Sequence, residues 1–468
     1  MGEISAVTPL GSEKLRCIAV VRSIFSTPIS QTLDQLNSAV CCQISASPVG
    51  FRTTGNKGIS PMNCRMCGST KLHKFLDLGF TPPADQFRRK DQSREPDVHY
   101  PLQVMMCDDC GLAQLSHVVS PEVLYRNDYP YESSTTRTGQ AHWSEFATSV
   151  VARLKLGTKD LAVDIGSNVG VLLGAFQSQG LRVQGVDPAA NIVMIAQANG
   201  IDTICDFFNE DTARTIVADK GHASVVTATN VFAHVDDLDR FVSSVKELLS
   251  ERGVFIFEAP YFVNLLKHNE YDTIYHEHLS YLSVKPLLAF FRKHGLEIFH
   301  IEERDIHGGS FRVHVGRIGT WPASPDAERM AQAEVDMGIY SHDKLAEFAA
   351  AVRRNKDELT WMLHSLKHEG KRIAAVSAPA KGMTLLNYCG LDADILDFVT
   401  EKSKLKIGRY TPGAHIPVVS DEELLNHQPD YALLLAWNFA DEIIGNLHEF
   451  RRRGGKFIIP IPFPKIVD

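Results

Sequence analysis

The stretch that most constrains this chain is Leu161–Gly174, where an apolar run, Leu-Ala-Val-Asp-Ile, breaks into glycines and resumes as an apolar helix start. The pattern reads as strand, tight turn and helix, the opening unit of a sheet whose strands are joined through helices. Gly166 and Gly170 remove side chains where a ligand must lie against backbone. Asp164 puts a carboxylate at the carboxyl end of the strand, the edge at which open α/β sheets bind ligands. A second strand, Leu181–Asp187, ends in an acid about twenty residues past the glycines, where a carboxylate can accept bonds from both hydroxyls of an adenosine ribose.

The glycines are spaced D-x-G-x-x-x-G rather than G-x-G-x-x-G, and this resembles the first motif of class I S-adenosylmethionine-dependent methyltransferases. A dinucleotide needs helix-terminal amides for its pyrophosphate, whereas S-adenosylmethionine has no phosphate and needs room plus a carboxylate near its amino group. On residues alone, an ordinary strand-turn-helix or a NAD site also fits. Strand and helix go on alternating, with a strand at 182–187, a helix at 190–199, Thr203–Phe208, a strand at 224–228, the turn Asn230–His234 and a helix at 236–249. A parallel sheet with right-handed crossovers is expected. In such a sheet Asp206 and Phe207 reach the adenine, and Asn230 to His234 leave the fourth strand beside the sulfonium. Phe207 is equally readable as core, and His234 as a cap on the next helix.

A chain of 468 residues has room for about three domains, and its 44% hydrophobic content is ample for packed cores. The formal net charge of -8 contains no block of like charges, which argues against a nucleic-acid surface. No apolar run approaches the ~18 residues that span a bilayer. Partners are therefore expected to be small molecules, with neither nucleic acid nor membrane among them. Four of the nine cysteines form two knuckles, Cys64-x-x-Cys67-Gly and Cys107-x-x-Cys110-Gly, which together describe a tetrahedral zinc site. Two redox pairs are the rival reading. Four thiolates leave no open coordination position, so a single structural zinc is expected, whose removal loosens the N-terminal lobe without reaching the residues of the chemistry. The other cysteines show no pairing pattern, which fits a reducing, cytoplasmic setting. Residues 1–61, rich in Ser, Thr and small residues, read as a disordered extension, with a transit peptide as the alternative.

After the second knuckle, Tyr129-Pro-Tyr131 reads as an aromatic loop. The densest chemistry is Tyr271–Tyr281, which holds two imidazoles, two carboxylates and three phenols in eleven residues outside any amphipathic pattern. His276 and His278 are not spaced H-E-x-x-H, so a proton-transfer site is the better reading than a metal. His307-Gly-Gly-Ser310 is a turn that can line a substrate or be merely structural. Residues 323–370 read as helices, with Leu345, Phe348, Val352, Leu359, Leu363 and Leu366 at helical spacing, Ser341 as N-cap and Gly370 as stop. The last hundred residues form a second α/β unit, with strands near 372–377, 394–399, 431–436 and 456–460. Ser377-Ala-Pro-Ala-Lys-Gly382 leaves its first strand where amides and Lys381 can meet a pyrophosphate. Lys402, Lys404, Lys406 and Arg409 follow its second strand, and a solvated lysine-rich loop is the plain alternative there.

Taken in order, the knuckles, Tyr-Pro-Tyr, Asp-Ile-Gly-Ser-Asn-Val-Gly, Asn-Val-Phe-Ala-His, Tyr-His-Glu-His-Leu-Ser-Tyr, His-Gly-Gly-Ser and Ala-Pro-Ala-Lys-Gly resemble the sugar C-methyltransferases. These enzymes methylate C3 of a nucleotide-linked 4-keto-deoxysugar, and the resemblance covers residues 62–468. It implies a zinc-binding domain at 62–125, a class I, Rossmann-like methyltransferase core at 126–320, a helical connector at 321–370 and a second Rossmann-like, nucleotide-sugar-binding domain at 371–468. It implies His278 as general base, Glu277, Tyr275 and His234 as helpers and Tyr129 as lid. The cofactor contacts would be Asp164, Gly166, Gly170, Asp187, Asp206, Phe207 and Asn230. Substrate contacts would be His307, Lys381, Lys406 and Arg409, in a monomer. The chain departs from the family at Thr400-Glu-Lys-Ser-Lys404, where Asp, Asn or Arg is usual before a Pro and Lys. A methyltransferase of this architecture with another acceptor, or a scaffold without catalysis, are the alternative functions.

Overall fold

The computed structural model describes residues 62–468 apart from 93–94, 127, 134–136 and 307. The extension at 1–61 and the candidate His307 lie outside the described residues. Three sheets carry the chain. The first opens with an antiparallel hairpin, β1 (Leu72–Thr81) on β2 (Tyr100–Cys107), followed by β3 (Ala113–Leu115). The hairpin with its long loop brings the two knuckles together, as the wide gap between them requires.

The second sheet contains β4 (Leu161–Ile165), β5 (Arg182–Val186), β6 (Thr203–Ile204), β7 (Ala223–Thr229) and β8 (Leu249–Pro260), all parallel. β9 (Ser280–Tyr281) belongs elsewhere, and the sheet is completed by β10 (Leu296–Arg304) and β11 (Ser310–Arg317) in the order β10-β11-β8-β7-β4-β5-β6. The strands of the alternation, β4 to β7, are parallel as expected, and β11, outside that alternation, is antiparallel to both its neighbours. The reason is the connection, because the short turn at Gly308-Gly309 joins β10 to β11 without a crossover and such a link can only make a hairpin. The helix Arg137–Leu154 packs Trp143, Phe146 and Val150 on one face of this sheet.

β9 is the unexpected element. It pairs with β3, Gln114 opposite Ser280 and Ala113 opposite Tyr281, so it is the fourth strand of the zinc lobe's sheet although it lies in the methyltransferase segment. Two residues carry no hydrophobic period, which is why nothing local in the sequence marks it.

The helices Asp326–Asp336 and His342–His368 follow, the second capped by Ser341, whose side chain accepts from the Lys344 N–H. All six of its periodic apolar residues named above are buried. The third sheet contains β12 (Ile373–Val376), β13 (Val399–Glu401), β14 (Val418–Ser420), β15 (Tyr431–Leu434), β16 (Lys456–Ile459) and β17 (Lys465–Val467), in the order β14-β13-β12-β15-β16-β17. Strand order reverses between β12 and β15, which places a ligand crevice at their carboxyl ends. No described helix is long and apolar enough to cross a membrane.

Candidate active site

The Gly166 turn is built as the sequence pattern requires. Gly166 and Gly170 have φ of 65° and 82°, and a Cβ on Gly166 would come within 2.4 Å of Val231 Cγ2. Only glycine fits both demands. The turn is tied to Asp187, whose Oδ2 accepts the Asn168 N–H and whose Oδ1 accepts the Ala189 N–H, each at 2.9 Å. Each carboxylate oxygen retains a lone pair for a ribose hydroxyl. Asp164 is 2% exposed and accepts the Thr227 hydroxyl at 2.6 Å. Burial pushes its pKa up to about 7, with the nearby Asp187 adding to the shift and the Thr227 bond opposing it. Asn230 sits at φ 55° and donates its N–H to the Glu258 carbonyl. That turn is anchored by Phe232, fully buried with ring centroids 4.7 Å from Phe257 and 5.8 Å from Phe291. Asp206 and Phe207 project together, and Arg126 spans them, 3.4 Å from the Asp206 carboxylate and 5.0 Å over the Phe207 ring. The donor set fits S-adenosylmethionine: a glycine turn, the Asp187 carboxylate with lone pairs left for hydroxyls, Asp206 beside the Phe207 ring, and the buried Asp164 carboxyl.

A strap, Tyr129–Ser133, lies over this turn. Asn168 accepts the Ser133 N–H and donates to the Tyr131 carbonyl, while Asn191 exchanges two bonds with the backbone of Tyr129. The Tyr129 ring packs with Val169, Ala189, Ile192 and, from the C-terminal domain, Leu405.

The loop 271–279 is held from three directions. The Tyr271 hydroxyl donates to Asn355 of the long connector helix at 2.8 Å. From the C-terminal domain, Trp437 Nε1 donates to Asp272 at 2.7 Å and the Thr384 hydroxyl to the Ile274 carbonyl at 3.1 Å. From the zinc lobe, the Leu115 N–H donates to the Leu279 carbonyl at 2.9 Å, Arg65 reaches the same oxygen at 3.3 Å, and His276 Nε2 donates to the Tyr100 carbonyl. His276 is thus a structural tie, and burial pushes its pKa down to about 4.

His278 is buried, and its Nδ1 donates to the Thr273 carbonyl at 2.8 Å. That bond fixes the tautomer with the lone pair on Nε2. Its ring lies 4.0 Å from Tyr275 and stacks at 5.0 Å on His234, whose own buried Nε2 has no hydrogen-bond partner among the described residues. Burial, with His278 beside it, holds the His234 pKa well below its usual value. A backbone carbonyl, rather than a carboxylate, therefore orients this imidazole through Nδ1. Glu277, 2% exposed, faces Asp85 and Lys406.

The candidate substrate cations are already engaged. Lys406 is buried, 3.3 Å from Asp85 and 2.8 Å from the Ala378 carbonyl, rather than in a solvated loop. Arg409 makes a two-point ion pair with Asp128, the residue just before the strap, both bonds at 2.9 Å. Lys381 binds Asn438, lies 4.2 Å over the Trp437 ring and faces Asp272 and Glu270. It stands at the strand-order crevice between β12 and β15. Sequence reading missed Asp85 and Arg126, which join the site from distant parts of the chain, and also Asn168 and the Thr273 carbonyl, whose roles follow from local backbone geometry that a residue pattern does not show.

The knuckle sulfurs meet as a site should. Cys64 and Cys110 Sγ are 3.5 Å apart, Cys67 and Cys107 Sγ 3.6 Å, and all four lie within 4.8 Å of one another. A zinc–sulfur bond of about 2.3 Å demands tetrahedral edges near 3.8 Å, so the four thiolates fit one zinc. A second group, His300, Glu302 and His314, is brought together by the β10–β11 register. Glu302 is also faced by Arg153, Arg304 and Arg312, which supply the positive charge a cation would bring.

Three family profiles match in chain order: a zinc binding domain at residues 64–125, a methyltransferase domain at 140–301 and a C-methyltransferase C-terminal domain at 305–462. The chain is 37% identical over 411 residues to C-methyltransferase NovU of Streptomyces niveus, covering 86% of this chain and 96% of that protein. Solved structures similar to part of it include an S-adenosylmethionine-dependent methyltransferase from Clostridium acetobutylicum, 14% identical over 38% of this chain and 92% of that one, with a TM-score of 0.30. Magnesium protoporphyrin IX methyltransferase from Synechocystis with bound SAH is 17% identical over 40% of this chain and 90% of that one, with a TM-score of 0.31. With a zinc-binding lobe, a class I S-adenosylmethionine-binding core and a C-terminal α/β domain matched end to end, the chain belongs to the C-methyltransferase family.

Proposed function

We propose that this C-methyltransferase acts on C3, the carbon next to the ketone, of a nucleotide-diphosphate 4-keto-deoxysugar. The observation that carries the reading is the His278 site: a buried imidazole with its tautomer fixed by the Thr273 carbonyl, set between Tyr275 and His234. A hydrogen beside a ketone is acidic enough for such a base once the enolate oxygen is stabilised, and a phenol like Tyr275 can donate to that oxygen. Bound S-adenosylmethionine supplies an electrophilic methyl group. His278 takes the proton onto Nε2, and the methyltransferase core holds the acceptor carbon in line at about 3–3.5 Å. Asp164 would take the cofactor's amino group, Asp187 its ribose and Asp206 with Phe207 its adenine, while Tyr129 on the strap would exclude water. The crevice between β12 and β15, with Lys381, would receive the nucleotide diphosphate, and Arg409 would exchange Asp128 for a phosphate. Turnover with labelled S-adenosylmethionine and a panel of 4-keto nucleotide sugars tests the reading. Label should enter a carbon–methyl bond of one of them; label that enters only other acceptors would refute it.

A further inference from the structure

Three separate parts of the chain bring buried charge together beside the loop that carries His278. Asp85 comes from the loop after β1, in the zinc lobe, and Lys406 from the loop after β13, in the C-terminal domain. Their side chains are 6% and 5% exposed, and Lys406 Nζ is 3.3 Å from Asp85 Oδ1. The same ammonium binds the Ala378 carbonyl at 2.8 Å and lies 4.8 Å over the Phe87 ring, so its surroundings are closed. Glu277, from the loop that carries His278, faces this pair.

Among the described residues the local charge does not balance. Two buried carboxylates meet one buried ammonium. Tyr125, Tyr129 and Tyr275, which face Glu277 and Asp85, and the nearly half-exposed Tyr131, which faces Asp85, remain neutral, because burial and those acids push their pKa values up. On its own loop Glu277 has His278 beside it, and that imidazole gives its Nδ1 proton to the Thr273 carbonyl. A second buried anion without a counter-charge would cost several kcal/mol, and a proton on one carboxyl removes that cost. Asp85 holds the ion pair, so the proton belongs on Glu277. Burial, helped by Asp85 and opposed by Lys406, pushes the Glu277 pKa well above its usual value.

We propose that Asp85 and Lys406 keep Glu277 as a neutral carboxylic acid, which makes it a hydrogen-bond donor to the acceptor's ketone oxygen. This rests on the reading of the site as one that enolises a ketone. When His278 takes the proton from carbon, the C–H electron pair moves into the carbon–carbon bond and the carbonyl pair onto oxygen, to which the Glu277 hydroxyl donates. The carbon then uses that pair to bond the methyl group, the sulfonium–methyl pair returns to sulfur and the ketone re-forms. Glu277 keeps its proton throughout, and His278 later releases the one it took to solvent. An ionised Glu277 would repel the developing oxyanion; a neutral one stabilises it. Asp85 and Lys406 act through Glu277 and are positioning residues.

Infrared difference spectroscopy of the zinc-loaded protein at neutral pH, wild type against Glu277→Gln, reads the proton directly and without acceptor. A carboxylic-acid carbonyl band present in wild type and lost in Glu277→Gln is expected; Asp164, common to both, cancels. A difference spectrum with only a carboxylate band would overturn the proposal. The pH profile of kcat gives the second measurement. Asp85→Asn should move the basic limb down by about one pH unit or more, since Lys406 then stabilises an ionised Glu277, and Lys406→Met should move it up. Limbs that stay in place while only the amplitude falls would mean that the pair is merely structural. If Asp85→Asn does not fold, the infrared result decides alone. A band at Glu277 in a protein that methylates no 4-keto sugar would refute the substrate reading and leave the proton where it is proposed.

Discussion

Asp164 and Asp187, proposed to hold the same cofactor, sit in different electrostatic settings. Asp164 has no amide on its carboxylate and is held protonated near neutrality by burial, with a pKa of about 7. A bound ammonium group would favour its ionised form, so cofactor binding below pH 7 should release a proton, and affinity should rise with pH up to about 7. Calorimetry in buffers of different ionisation enthalpy measures that proton. Without cofactor the linkage runs the opposite way: an acid whose folded pKa is raised contributes stability below its unfolded value of 3.8, and this is lost as pH rises toward 7. Asp187 has its two oxygens on backbone amides of the turn, so it positions the turn as well as the ribose. Asp187→Ala should weaken cofactor binding by roughly 1.5–3 kcal/mol while the acceptor site is untouched, and unchanged affinity by titration would move the ribose contact elsewhere.

At the scale of elements, the decisive piece is β9. By pairing with β3 it makes the segment just after His278 part of the zinc lobe's sheet, and Arg65, next to Cys64, reaches the Leu279 carbonyl. Removing zinc should therefore do more than loosen a distant lobe. Chelation is expected to cut turnover at least about tenfold while cofactor affinity stays within a factor of two, with hydrogen exchange rising at Leu279–Tyr281. Turnover that survives complete loss of the metal would show that β9 holds the loop unaided. This coupling explains what the sequence could reveal and what it could not. The glycine turn, the knuckles and the long amphipathic helix are local: their chemistry or period lies within a few residues, and Ser341 caps its helix as the pattern requires. β9 has two residues and a partner more than 160 positions away, so no period announces it. The β10–β11 hairpin could have been inferred from Gly308-Gly309, since a short turn excludes a crossover.

In the whole molecule, the zinc lobe, the connector and the C-terminal domain all reach the loop around His278. Asp85 and Lys406 are 321 residues apart and meet as a buried pair, which only the tertiary fold can reveal. The same holds for Arg409 and Asp128, which latch the strap to the C-terminal domain. The motifs nominate the base, but its orientation by the Thr273 carbonyl and the charge state proposed for its neighbour rest on contacts that the motifs do not contain. The central claim is that His278 removes a proton from the carbon next to a ketone before that carbon is methylated. Protein and 4-keto nucleotide sugar in heavy water, with S-adenosylhomocysteine in place of the methyl donor, separate that step from transfer. Nuclear magnetic resonance should show deuterium replacing the hydrogen on that carbon, faster in Tyr129→Ala, where the strap no longer shields the base. His278→Asn, with or without the Tyr129 change, should show none; exchange that persists without His278, with His234 the next imidazole in the stack, would contradict the account.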